Sequence, residues 1–142
     1  MTERIAQNPH ALGIIAALEA EGLDVGDGIA PHDVTSTDDE AWTPYVVLYM
    51  LPGGDVDGTA GSPDSDGDLR FQLTSVGRTA AEARHVNDRA AQAFRDNPVE
   101  VPGRSVQRVR PLEATNAVRR DDDVQPPLFF VVARYGAWTF PA

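Results

Sequence analysis

The segment that decides the fold is Leu128-Phe-Phe-Val-Val-Ala-Arg-Tyr-Gly-Ala-Trp-Thr-Phe140, close to the end of the chain. Aromatic and β-branched residues dominate it, and such residues favour extended structure. Its first half is apolar at successive positions, so we expect both of its faces to be buried there. The pattern predicts a long strand at the centre of a sheet.

Two earlier segments predict partners for this strand. Tyr45-Val-Val-Leu-Tyr-Met-Leu51 is apolar and lies between Pro44 and Pro52-Gly-Gly54, which are typical strand boundaries. In Asp68–Val76, apolar and polar residues alternate, as in a strand with one buried face. We expect these two strands to form a hairpin whose long tip covers residues 52–68.

Helix signals come before and after the hairpin. Asn8-Pro9 predicts the start of a first helix over about 9–21, because Asn caps helices and proline is tolerated in the first turn. Gly22 predicts its end. Apolar spacing predicts that its buried face consists of Leu12, Ile15, Ala16 and Leu18. Thr79-Ala-Ala-Glu82 is a capping-box pattern and predicts a longer helix that continues to about Asp96.

A fourth strand is predicted over Ser105–Ala114, interrupted by Pro111. The expected fold is α+β: an antiparallel or mixed four-stranded sheet packed against helices, in the order α-β-β-α-β-β with long acidic loops. One domain should cover residues 1–142. Within it, residues 1–44 would supply the first helix and an acidic connection, and 45–142 the sheet and the main helix.

The charge is distributed unevenly along the chain. Its 22 acidic and 12 basic residues give a net charge of −10, and every base is arginine. Residues 1–69 hold fourteen acids and one arginine, net −13, whereas residues 70–142 hold eight acids and eleven arginines, net +3. So acidic a chain is repelled by free nucleic acid, which argues against sequence-specific nucleic-acid binding.

No residue pattern predicts an enzyme, a cofactor or a membrane segment. The chain has no cysteine, which excludes disulfides and thiolate chemistry. No apolar run reaches the roughly 18 residues of a membrane span, and no secretory signal is visible. His10, His32 and His85 are scattered and are expected to be ordinary surface residues. We therefore predict synthesis in the cytoplasm and no catalytic, cofactor or metal residues.

The hairpin tip has one feature typical of metal loops. Five aspartates in a glycine-containing stretch could converge on Ca²⁺; they are Asp55, Asp57, Asp64, Asp66 and Asp68. The helix-loop-helix calcium pattern fails, however, because Leu69 stands where the turn glycine belongs and Ser75 where the bidentate glutamate belongs. A solubilising loop is the favoured interpretation, and a calcium-binding, non-enzymatic module stays an alternative.

A run of opposite charges follows in the predicted loop 116–127. Its five residues are Arg119, Arg120, Asp121, Asp122 and Asp123. One interpretation is a solvated loop in which each exposed ion pair contributes only ~0–1 kcal/mol. The other is an interface, in which arginines of one subunit face aspartates of the next around a ring.

The order of these segments resembles a known family. Tyr45–Gly54, a variable Asp/Gly/Pro insert, Leu69–Gly77 with Thr79–Ala83, and Val118–Phe130 are together similar to the tail terminator, or tail completion, proteins of siphophages that infect actinobacteria. The resemblance covers the chain from Tyr45 to its end. No single segment is a catalytic signature, so the resemblance depends on their combination.

The resemblance implies a structural virion protein at the head-proximal end of the tail. It implies a homo-hexameric ring that caps the tail tube, stops its polymerisation and joins it to the head–tail connector or stopper protein, while DNA only passes through. The interface residues would be those of the 119–123 run, and the aspartates of the 55–68 tip would face the lumen or a neighbouring subunit. Another connector component, a stopper or an adaptor, is the nearest alternative function.

Overall fold

The computed structural model describes residues 6–31, 42–51, 54–55, 67–113 and 117–142. The described residues form two helices, α1 (Gln7–Ala20) and α2 (Ala80–Asp96). They also form eight strands: β1 (Val25–Asp27), β2 (Tyr45–Met50), β3 (Gly54–Asp55), β4 (Gly67–Gly77), β5 (Arg104–Val106), β6 (Arg110–Pro111), β7 (Arg119–Asp121) and β8 (Leu128–Pro141).

All eight strands belong to one mixed sheet. Its main path runs β1-β2-β4-β8-β5, with β3 paired to β4, and β6 and β7 paired to β8. Only β1 and β2 pair in parallel; the other pairs are antiparallel. The prediction that the C-terminal strand is central is confirmed, because β8 has β4 along one edge and β5, β6 and β7 along the other.

The predicted α+β fold with a four-stranded sheet in the order α-β-β-α-β-β is wrong. The described chain is a mixed α/β structure with eight strands, because five short strands lie where loops or one longer strand were expected. Val25–Asp27 and Gly54–Asp55 are too short to show a period of two. The predicted strand 105–114 is divided into β5 and β6, and Pro111 lies on an edge strand, where its missing N–H costs no ladder bond.

Both helices pack on the same face of the sheet, and their contacts form the main core. Phe71 of β4 stacks on Tyr135 of β8 with ring centroids 5.5 Å apart, and Phe94 of α2 meets the edge of Phe71 at 5.5 Å. Phe71 and Tyr135 are register partners, so the two central strands present them side by side to the helix. Ile14 and Leu18 of α1 are fully buried in the same core.

The first helix exists as predicted, but its cap and its buried face differ from the prediction. It begins at Gln7 after Ala6, with no side-chain cap, rather than after Asn8. Leu12, predicted to be buried, is 58% exposed, while Ile14 is 0% exposed. The helix is apolar around most of its circumference, so spacing alone does not identify the inner face.

Local hydrogen bonds determine where α1 ends and where α2 begins. After α1, Gly22 has a φ of +83° and its N–H donates to Glu19 O, while Leu23 N–H donates to Leu18 O; this is a Schellman motif. At α2, Glu82 N–H donates to Thr79 Oγ1 at 3.1 Å, which confirms the predicted cap. The Glu82 carboxylate accepts from the N–H of Arg78 rather than of Thr79.

The other face of the sheet, called here the open face, carries a second group of buried apolar residues at one corner. There Trp42, Tyr45, Val47, Val76 and Leu128 form a second, smaller core. Beyond it, the open face presents exposed or half-buried side chains, including Tyr49, which is 40% exposed.

Two substitutions on α1 test which of its faces is buried. Ile14→Ala should lower the free energy of unfolding by ~2–5 kcal/mol, because it leaves a cavity in the main core. Leu12→Ala removes the same kind of side chain from the exposed face and should change it by no more than ~0.5 kcal/mol. Urea unfolding followed by circular dichroism measures both. An equal loss for the two variants would contradict the packing described above.

Candidate subunit-contact surface

The charged run predicted as an interface lies at an edge of the sheet. Arg119, Arg120 and Asp121 form β7, which pairs with β8 on one side: Arg119 opposite Phe130, Arg120 opposite Phe129. The structure places a strand where a loop was expected. The run lacks an apolar period because an edge strand of this kind has little to bury.

Part of this charge is paired within the run itself. Arg120 Nε lies 2.6 Å from Asp122 Oδ1, and both side chains are more than half exposed. The Asp121 carboxylate accepts a hydrogen bond from the N–H of Asp123 at 3.0 Å, which is an Asx turn. Such an exposed ion pair contributes only ~0–1 kcal/mol, so a partner's carboxylate can replace it at little cost.

Strand alternation divides the two arginines between opposite faces of the sheet. Arg119 lines a cavity of about 210 Å³ on the open face, together with Phe130, Val132 and Arg134. Arg120 lines a cavity of about 660 Å³ on the helix side, between β7 and α2. The predicted patch therefore contributes to two surfaces, and only Arg120 faces the helix.

The larger cavity continues along α2. A second cavity of about 630 Å³ lies between α2 and β6, and both cavities are lined by Asn87 and Asp88. We call the pair the α2 groove. Its arginines are Arg84, Arg95, Arg108, Arg110 and Arg120, and its apolar lining is Ala80, Ala91, Phe94, Val109, Pro111, Ala117, Val118, Phe129, Val131 and Tyr135.

The α2 groove is strongly cationic although the chain as a whole is acidic. Five arginines and one aspartate line it, but the guanidinium of Arg110 lies 5.8 Å from the centre of the Trp138 ring, on the opposite face of β8 from Tyr135. The other four arginines and Asp88 give the groove a formal charge of +3 by subtraction. Charges of one sign above an apolar floor raise the local potential and favour an acidic partner. The arginine excess of residues 70–142 was visible in the sequence, but its convergence on one groove was not, because the residues come from α2, β6, β7 and the segment before β6.

The opposite edge of the sheet carries the opposite charge. Around β1, the exposed or half-buried acids are Glu19, Glu21, Asp24 and Asp27. Arg89 of α2 reaches this edge and donates to the backbone carbonyl of Glu21. Four acids and one arginine leave this region, called here the β1 edge, with a net negative charge.

The aspartates of the hairpin tip fall in different places. Asp55 lies in β3, opposite Gly67. Asp68 lies in β4 and accepts a hydrogen bond from Arg70 Nε at 2.8 Å. Asp57, Asp64 and Asp66 lie outside the described residues. Within the described ranges, no group of three or more His, Asp or Glu side chains is placed to hold a metal ion.

Of the three histidines, His10 departs most from expectation. Predicted to be a surface residue, it is 1% exposed. Its Nδ1 lies 2.7 Å from Ala6 O and its Nε2 lies 2.9 Å from Thr139 Oγ1. Arg104 Nε donates to the same hydroxyl at 3.1 Å. Burial lowers the pKa of His10, and the nearby Arg104 charge acts in the same direction. His10 is thus a neutral structural link between α1 and β8.

The remaining two histidines do not form a catalytic pair in the described chain. His32 lies outside the described residues. His85 is exposed on α2 and lines a cavity of about 480 Å³ with Glu82 and Asp24. Glu82 is held by the helix N-terminus, and Asp24 accepts from Thr43 Oγ1 at 3.2 Å. No hydrogen bond links His85 to either carboxylate, whereas a general base normally has an orienting partner.

Comparison with models of known protein families and with curated proteins gives no match for this chain. Among the described residues, neither helix combines the length and the apolar character that crossing a bilayer requires.

The buried histidine predicts a pH dependence of stability. Its pKa in the folded protein lies below the ordinary 6.5, so the unfolded chain binds the proton more readily. The contribution of neutral His10 to the free energy of unfolding is complete above pH 6.5 and decreases as the pH falls below that value. His10→Gln should remove this component, so the free energy of unfolding should depend less steeply on pH between 6.5 and 5 than in the wild type. Urea titrations across this range measure it, and identical slopes would contradict the assignment.

Proposed function

We propose that this chain is a ring-forming structural subunit of a phage tail, a tail terminator that caps the tail tube at its head-proximal end. In this role it stops tube polymerisation and joins the tail to the head connector or stopper, and DNA passes through the ring. The proposal is supported by the order of sequence segments from Tyr45 to the C-terminus and by the geometry of the sheet.

One observation carries the proposal: the two edges of the sheet are unlike and complementary in charge. The β1 edge is acidic, and the edge formed by β6 and β7 adjoins the cationic α2 groove. A ring requires a heterologous contact, in which one surface of a subunit meets a different surface of the next. Opposite charges at opposite edges of one sheet provide such a pair of surfaces.

The same geometry also suits a stopper or an adaptor, since both form rings in the same connector. These functions differ in where the subunit lies in the virion. Gold-labelled antibody on purified virions should mark the junction where the tail tube ends if the chain is a terminator. Label confined to the head side of that junction would assign it to the connector instead.

Charge reversal in β7 tests whether this strand is needed for assembly. Arg119→Glu combined with Arg120→Glu should prevent normal tail completion when the variant replaces the wild type during phage production, because two contact charges change sign on exposed side chains. Electron microscopy should show overlong tubes or tails without heads. The variant's circular dichroism spectrum should stay that of the wild type, since both arginines are exposed.

The matched control is the charge-preserving variant in which both arginines become lysine. It should assemble more nearly normal tails, because the sign of the charge is retained although bidentate geometry is lost. Normal, head-joined tails from the glutamate variant would count against β7 as a contact strand.

A further inference from the structure

We infer that the contact between neighbouring subunits is made by Ile29 and the acidic β1 edge of one copy, which dock into the α2 groove of the next. The inference rests on the proposed function in taking the partner to be a second copy of this chain.

Ile29 is the most exposed large apolar side chain of the described residues, at 74%. It lies directly after β1, in a turn fixed by two glycines. Gly28 has a φ of +72° and its N–H donates to Leu48 O at 2.8 Å. A Cβ on Gly26 would lie 1.8 Å from Ile29 O, so only glycine permits this close turn. The structure therefore holds an apolar side chain outward on a defined turn, which lowers the entropic cost of docking.

An exposed aspartate precedes Ile29 closely along the chain. It is Asp27, two residues earlier, at the end of β1. An isolated apolar side chain on a surface needs no explanation. One that is held on a tight turn, two residues after an exposed aspartate, has the composition of an anchor for a groove lined by apolar and basic side chains.

The α2 groove has that complementary composition. Its floor includes Phe129 and Val131 in one cavity and Phe94 and Tyr135 in the other. Cavities of about 660 and 630 Å³ fall within the usual range for binding pockets, roughly 300–1,000 Å³. Each is ample for one isoleucine side chain and the backbone of its turn.

One buried polar side chain lies at the junction of the two cavities. Asn87 lines both cavities, is only 8% exposed, and its Oδ1 has no hydrogen-bond partner in the described structure. Buried acceptors of this kind are normally satisfied. Less than 1 Å² of this atom is accessible, so a docked backbone N–H reaches it only if the Asn87 side chain turns toward the groove.

The two surfaces cannot meet within one subunit. The β1 edge and the β6–β7 edge are separated by β2, β4 and β8, so four strand spacings, about 19 Å, lie between them. The contact must join different copies. Because it pairs unlike surfaces, each subunit keeps one free surface of each kind until a ring closes.

Nucleic acid is the other occupant that a groove lined by arginines can attract. It has no aliphatic anchor for the apolar floor, and the chain's net charge of −10 opposes its approach. The β1 edge meets both requirements, charge and anchor, and is therefore the occupant that the observations favour.

Two single variants test the contact, each blocking one of the two surfaces. Ile29→Arg removes the anchor and places a positive charge opposite the arginines. Ala91→Trp fills the groove at a half-buried position of α2. Leu12→Arg and Gln92→Trp are the matched controls, since Leu12 is exposed on α1 and Gln92 is the exposed neighbour of Ala91.

Native mass spectrometry and sedimentation velocity should show that the wild type and both controls associate. Each blocking variant alone should associate about tenfold more weakly or not at all, as expected for loss of an interface anchor. An equimolar mixture of the two blocking variants should form a one-to-one heterodimer and nothing larger. In that mixture the Ile29→Arg variant keeps its groove and the Ala91→Trp variant keeps its anchor. The other surface of each variant is blocked, so no third subunit can add.

Association of both blocking variants at the wild-type level, a mixture that yields no heterodimer, or a wild type that never associates would each overturn the inference. So would binding of a labelled DNA duplex that Ala91→Trp abolishes in the absence of any heterodimer. The proposed function is judged separately by antibody labelling of virions. If antibody labels the tail end of the virion but both blocking variants associate like the wild type, this contact alone is refuted. If the heterodimer forms but no virion is labelled, the tail role alone is refuted.

Discussion

The structure depends on the antiparallel pairing of β4 with β8. Eleven consecutive residue pairs join them, from Gly67 opposite Thr139 to Gly77 opposite Phe129. This register places Phe71 beside Tyr135 under the helices, and a shift of one strand by one residue would turn one of these two side chains to the open face. The remaining strands attach to the outer edges of this pair, β1 through β2, so the register also determines which surfaces the two ends of the sheet present.

The parts of the fold that could be predicted are those whose apolar spacing reflects burial. The alternation of β4, the apolar run at the start of β8 and the cap at Thr79 each indicated the element that formed, to within a few residues. The short strands could not be predicted, because β1 and β7 owe their extended form to a neighbouring strand rather than to their own residues. The burial of His10 was missed for a related reason: its partner Thr139 is 129 positions away.

The candidate site was predictable only in part. The run at 119–123 was identified by its charges, and its first three residues form an exposed edge strand of the sheet. The α2 groove could not be identified, because its arginines are spread from Arg84 to Arg120 and converge only when α2 packs beside the edge of β8. Ile29 gave no signal either, since a single isoleucine in an acidic stretch is compatible with burial as well as with exposure.

In the proposed ring, the opposite sheet edges of neighbouring subunits fit one another, so that association repeats in one direction and closes. Negative-stain electron microscopy of the purified protein, alone and with the tail tube protein, tests this most directly. The account predicts closed rings of uniform subunit number, either free or seated at one end of each tube. Single globules in both preparations, with tubes of unrestricted length, would contradict it.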